Sequence, residues 1–244
     1  MKKLLVIVLC FAARTLLAQV SSSYERILLP VSTDEIPGSF GSRWVTDLWY
    51  RNDGDEPAAV FPLAVTDYTP SPHVDVLLPV IKAGPGGPPG AFLYVTRSLA
   101  DNLRFNLRVR DLSRQALTWG TQIPVVREAQ FSSKRLVLLA VPIDAHFRAL
   151  LRIYDASFGF VTARVRVFEL GSDTLLAQRD MQLSSVPELP YDPGYAQLAI
   201  SDIVAATNEL RVVRVEIEPL TPMRFWAFVS VTNNETQQVT TVVP

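Results

Sequence analysis

Cysteine is almost missing from this chain of 244 residues, which carries a single one, Cys10. Beyond that position no disulfide, thiol nucleophile or thiolate metal ligand can form. Histidine is nearly as scarce, with His73 and His146 alone. Two such residues do not make a closed metal site, because zinc centres take four ligands or three plus water. Charge of either sign is not in excess: 23 basic side chains stand against 24 acidic ones. A phosphate backbone is held by accumulated Lys and Arg contacts, so nucleic acid is not an expected partner. Long apolar runs are lacking too, and none approaches the roughly 20 residues that a membrane-crossing helix needs. The motifs of common hydrolases are absent, with no GxSxG elbow and no HExxH. No catalytic residue, metal ligand or cofactor is therefore assigned.

The chain opens with a recognisable pattern. Lys2 and Lys3 precede an apolar run from Leu4 to Ala13, and Ala18 offers a small residue at a cleavage point. This order is that of a secretory signal peptide over residues 1–18. Cys10 follows Ile7, Val8 and Leu9 rather than a small residue, so lipid attachment there is not expected. Loss of Lys2, Lys3 and Arg14 leaves 20 basic against 24 acidic groups, a formal charge of about −4. The expected location is extracytoplasmic, whether secreted, periplasmic or at the cell surface, without a stable membrane anchor.

About 226 residues remain, enough for one large domain or two smaller ones. Short runs rich in Val, Ile, Leu and aromatics recur at 43–51, 92–96, 104–110, 135–141, 149–154, 160–169, 210–218 and 224–232. Eighteen prolines scattered through the chain oppose long helices. In RFNLRVR, Phe105, Leu107 and Val109 point one way while Arg104, Asn106, Arg108 and Arg110 point the other. That period of two gives one dry and one wet face, as in an antiparallel sheet. Ala163, Val165 and Val167 alternate with arginines, and Val213, Val215 and Ile217 alternate with Arg214, Glu216 and Glu218. The best helical candidate, Ser201–Leu210, is short.

A shift of 120 residues places Arg104 and Phe105 on Arg224 and Phe225, Val109 on Val229, and Pro124 on Pro244. Each stretch then runs through a polar turn into another short strand. Two duplicated modules are expected, at 24–126 and 133–244, joined around Val125–Ser133; a single larger sandwich is the competing organisation. KAGPGGPPG at 82–90 has four glycines and three prolines and is expected to be an exposed loop, as is SVPELPYDPGY at 185–195.

Several groupings could carry chemistry. RNDGDEP places Asp53, Asp55 and Glu56 around Gly54, a set of oxygen ligands for calcium. It lacks the twelve-residue loop pattern, and a tight hairpin accounts for the same residues. His73 lies two residues before Asp75, and His146 two after Asp144; surface or turn histidines are the simpler reading. The aromatics are more informative. In β alternation Trp44, Thr46, Leu48 and Tyr50 share one face of their strand, and Trp49 lies on the other. In FWAFVSV, Phe225, Ala227 and Val229 leave Trp226 and Phe228 opposite. Such rings either pack between modules or stand exposed as a stacking platform of Trp44, Trp49, Trp119 and Trp226 for sugars or another protein. Arg104, Arg108 and Arg110 form a basic stripe, extended by Arg114. It is either a site for an anionic glycan or partner, or a wet sheet face neutralised by acids on the next strand.

The run LWYRNDGDEPAAVFPL, residues 48–63, resembles the opening strand–turn–strand of bacterial extracellular immunoglobulin-like modules, and WAFVSVTNNETQQVTTVVP, residues 226–244, resembles their last hairpin. The resemblance implies an all-β chain of two tandem immunoglobulin-like antiparallel β-sandwiches, used as spacers, adhesion units or accessory binding modules. It is architectural, since the Cys…Trp…Cys pattern is absent and sandwiches host many functions. A non-enzymatic structural or adhesion protein with a protein or glycan partner is the first expectation. A carbohydrate-binding accessory protein using exposed tryptophans is the second, and a secreted hydrolase the third.

Overall fold

The computed structural model describes residues 23–33, 35–61, 69–78, 90–157, 159–184, 192–209 and 211–244. The expected signal peptide, residues 82–89 of the Gly/Pro-rich run, Phe158 and residues 185–191 lie outside the described residues. The chain is all-β, and its paired strands run antiparallel. The first half contributes β1 (Tyr24–Leu29), β2 (Ile36–Pro37), β3 (Arg43–Asn52), β4 (Val60–Phe61), β5 (Asp75–Leu78), β6 (Ala91–Thr96), β7 (Leu103–Asp111), β8 (Thr121–Ile123) and β9 (Val126–Arg127). The second half contributes β10 (Leu136–Pro142), β11 (Phe147–Asp155), β12 (Phe160–Glu169), β13 (Leu175–Ser184), β14 (Gly194–Ala199), β15 (Val212–Pro219), β16 (Phe225–Asn233) and β17 (Val239–Val242).

Strands β4, β6, β1 and β9 form one sheet, in that order. A second sheet runs β2-β3-β7-β8, with β5 also beside β3. Their inner faces share one core, in which Ile27, Leu29, Leu93 and Val95 of the first meet Leu48, Tyr50, Leu107 and Val109 of the second. The alternation read in RFNLRVR is the cause: Leu103, Phe105, Leu107 and Val109 of β7 are apolar and point inward. RNDGDEP is not a hairpin turn, because β3 belongs to one sheet and β4 to the facing one. Ala58 and Val60 are fully buried, and their burial draws the chain across the core.

The second half departs from a simple pair of sheets. Its eight strands form one sheet in the order β10-β15-β12-β13-β14-β11-β16-β17. β10 packs back against β16 and β17, so the sheet nearly closes into a barrel. Among the described residues β13 and β14 pair through one residue pair, Ser184 with Tyr195, which joins the two leaves. β13 makes this join, and its sequence LLAQRDMQLS has only one buried residue, Leu183. A strand so polar carries little of the alternation from which a strand is read.

A third apolar cluster lies between the halves. Leu28 of β1, Phe92 of β6, Val126 of β9 and Phe131 meet Tyr154 of β11 with Trp226 and Phe228 of β16. Strand β16 is thus dry on both faces: Phe225, Ala227 and Val229 enter the core of the near-barrel, while Trp226 and Phe228 enter this layer. Trp226 and Phe228 stack with centroids 5.4 Å apart. The Tyr154 hydroxyl donates to the Pro30 carbonyl, and burial pushes its phenol well above the ordinary value. The expected linker is tied down at both ends. Val126 and Arg127 pair with β1, and Ser132 exchanges backbone hydrogen bonds with Phe225.

An ionic cluster borders the layer. Glu128 accepts from Arg26 Nη2 at 2.8 Å and Arg97 Nη2 at 3.1 Å, and Arg224 Nη2 donates to the Glu128 carbonyl at 2.8 Å. Arg26 Nη1 donates to the Ala156 carbonyl at 2.6 Å. Burial alone would raise the Glu128 pKa, but the Arg26 and Arg97 bonds outweigh it and hold the carboxyl below its ordinary value.

Two outcomes are expected. Trp226→Ala should lower unfolding stability by about 3–5 kcal/mol, as for other buried aromatics, whereas exposed Trp119→Ala should change it by less than about 0.5 kcal/mol. Urea denaturation of both variants measures this, and equal effects would refute the buried layer. For Glu128, a depressed native pKa stabilises fully above the unfolded value and loses that contribution as pH falls through the native one. Acid unfolding of Glu128→Gln should therefore be less steep below about pH 4.3 than that of the natural protein.

Candidate functional site

The outer face of the β2-β3-β7-β8 sheet brings together one predicted tryptophan and the predicted arginine stripe. Strand register fixes the arrangement. Leu77 of β5, Trp49 of β3 and Asn106 of β7 form one row. Asp47, Arg108 and Gln122 of β8 form the next. Asp75, Arg51 and Arg104 form the row on the other side. Trp49 is 46% exposed and Leu77 51%, so an apolar platform stands in a polar surround.

Most cations of this face are matched by acids, as expected of a wet sheet face. Arg51 Nε binds Asp53 Oδ1 at 2.7 Å and its Nη1 binds Asp75 Oδ1 at 3.2 Å. Arg104 shares Asp53 at 3.2 Å. The hydrogen bond from Arg51 holds the Asp53 carboxyl below its ordinary value. Arg110 grips both oxygens of Asp47 and is raised by that bond. Arg108 differs. It lies directly across from Asp47, yet both Asp47 oxygens are taken by Arg110. Its hydrogen bond is a long one, 3.5 Å from Nη1 to the Gly120 carbonyl. Among the described residues no carboxylate lies within 4.0 Å of it.

The other three tryptophans do not join this platform. Trp44 is turned inward and half-buried, against Gly38, where any Cβ would collide with the indole. Trp226 is 6% exposed in the layer between the halves, where Phe228 and Tyr154 need an apolar neighbour. Neither is available for stacking. Trp119 is 73% exposed but sits past the Arg110 end of β7, about 13 Å along the strand from the Asn106 row. Phe40 and Leu117 are exposed at the same end. Gly120, with φ of +89°, packs on the backbone of Val109 and Arg110, so only glycine closes this turn without strain. Asn106 and Gln122 were not singled out by sequence. Alternation puts Asn106 on the wet face, but only the strand register sets it beside Trp49.

The remaining candidates resolve into local contacts. Asn52 caps the RNDGDEP turn, accepting from Gly54 N–H and donating to the Glu56 carbonyl. Asp53 is held by arginines, and His73 Nε2 lies 3.2 Å from Asp55 Oδ1. Asp75 therefore serves Arg51 rather than His73. His146 Nδ1 lies 3.0 Å from the buried Asp144. No group of three or more His, Cys, Asp or Glu able to hold a metal occurs among the described residues. A cleft between Ser133, Ser157 and the Pro219–Arg224 turn has Arg224 as its one charged lining residue. No helix among the described residues is long and apolar enough to cross a membrane.

The turn that carries Trp119 hangs from Asp111. This buried carboxylate accepts from Arg43 N–H at 2.9 Å, Ser113 N–H at 3.0 Å, Ser113 Oγ at 2.6 Å and Arg114 Nη1 at 2.6 Å. Burial opposes ionisation, but these donors together bring the pKa down to about 2. Its stabilisation is complete above the unfolded value of about 4 and lost as pH falls from there through about 2. Asp111→Asn should lower stability by about 1–3 kcal/mol and speed hydrogen exchange of amides 112–120. Unchanged exchange would show that other contacts hold the turn.

No family model matches the chain, and no curated protein or solved structure is significantly similar to it.

Proposed function

We propose that this chain is a non-enzymatic, extracytoplasmic adhesion-type protein that presents the outer face of its first-half sheet to a glycan. Two immunoglobulin-like modules, 24–126 and 133–244, derived from one duplicated unit, would be its building blocks. The order of Lys2, Lys3, the apolar run and Ala18 supports export. The observation that carries the reading is Trp49, an exposed indole on a flat sheet, with the side chains of Asn106 and Gln122 in its own and the adjoining row. A sugar presents an apolar face to an aromatic ring and hydroxyls to neighbouring amides, and this face offers both.

Protein docking is the second reading, favoured by Phe40, Leu117 and Trp119, which are 70%, 81% and 73% exposed at one end of the same half. A glycan array probed with the full chain separates the two. Binding should be lost in Trp49→Ala and kept in Trp119→Ala, with both variants folded by circular dichroism. Loss in Trp119→Ala alone would move the site to the loop end. No binding to any arrayed glycan would overturn the glycan reading.

A further inference from the structure

We infer that the Trp49 face reads an acidic polysaccharide, one built of uronosyl units, with Trp49 stacking on the pyranose ring and Arg108 taking its carboxylate. The inference rests on the glycan reading above and names the sugar class. It is carried by one electrostatic mismatch. The cations of this face other than Arg108 are neutralised: Arg51 by Asp53 and Asp75, Arg104 by Asp53, and Arg110 by both oxygens of Asp47. Among the described residues Arg108 is left half-buried without a carboxylate, although Asp47 stands directly across from it. A guanidinium held in a sheet without its counter-charge is completed by an external anion.

Position narrows that anion. Trp49 pairs with Asn106, so Arg108 is its diagonal neighbour, at about 7–8 Å between backbones. Both residues stand on the outer face of the sheet, with the Arg108 guanidinium now beside the Gly120 carbonyl. A ring stacked on the indole therefore directs an exocyclic acid group at the guanidinium. The planar fork of Arg matches a carboxylate bidentately. Asn106 and Gln122 flank this path and have donors and acceptors for ring hydroxyls. One cation without a carboxylate partner among the described residues, beside one ring, fits one charge per sugar. A densely sulfated chain would find no wider field, because the whole sequence is balanced at −1.

The test uses the full chain with polygalacturonate and with the same polymer fully methyl-esterified, by affinity electrophoresis and calorimetry, and sulfated galactan as a third probe. The acid polymer should bind about tenfold more tightly than its ester. Arg108→Gln should abolish that difference while keeping the weak binding of the ester, and Trp49→Ala should abolish both. Arg108→Lys, which keeps charge but loses the fork, should fall between. Equal affinity for acid and ester would overturn the uronate assignment and leave the glycan reading standing. Stronger, Arg108-dependent binding of sulfated galactan would overturn it in favour of a sulfate. Absence of binding to all three, with the protein folded, would overturn the assignment, and the glycan array then decides the broader reading separately.

Discussion

Strand β16 is buried on both sides, and the remaining architecture is arranged around that fact. A strand in a two-layered protein has one dry face; this one sends Phe225, Ala227 and Val229 into the near-barrel and Trp226 and Phe228 into a layer shared with β1, β6 and β11. The outer face of the β4-β6-β1-β9 sheet must therefore be apolar as well, and Leu28 and Phe92 make it so. Burial of aromatics on this scale is the largest attractive contribution available to such an interface. It also explains why the connecting segment is no free tether. Val126 and Phe131 are part of the layer, and Glu128 ties the guanidinium groups of Arg26 and Arg97 to its rim.

The surface that remains for contact follows from the same packing. On the outer side of the β2-β3-β7-β8 sheet an exposed aromatic ring and polar side chains are interleaved row by row. Ion pairs across β3 and β7 organise that face without adding much stability, since exposed pairs contribute little. Their effect is selective: Arg110 bonds both oxygens of Asp47, and among the described residues Arg108 has no carboxylate partner.

Much of the strand layout was legible because alternation is strict where one face is wet. β7, β12 and β15 show it, and the expected runs at 104–110, 160–169 and 210–218 correspond to them within a few residues. The conflict in FWAFVSV was also legible, and the packing of Trp226 and Phe228 between the halves resolves it. β1, β2, β5, β9, β13 and β14 escaped. β1 is apolar on consecutive positions because both of its faces are covered, which erases the period of two. β13 is too polar to announce itself. Which tryptophan would be exposed was only half readable: alternation separates Trp44 from Trp49 but does not say which face is outside. Pairing register is what set Trp49, Asn106 and Arg108 side by side, and register depends on contacts between residues far apart in the chain. In the second half the eight strands form one nearly closed sheet, whose order depends on pairings such as β10 with β15 and β11 with β16, made between residues far apart in the chain.

That join has a mechanical meaning. Elsewhere in the eight-stranded sheet each pair of neighbours is stitched through four or more residues, whereas β13 and β14 meet at one. Among the described residues, a load that shears the two leaves is resisted there by a single rung, a tear line built into the sheet. Parting of the leaves there would leave Trp226, Phe228 and the displayed Trp49 face seated on their own strands.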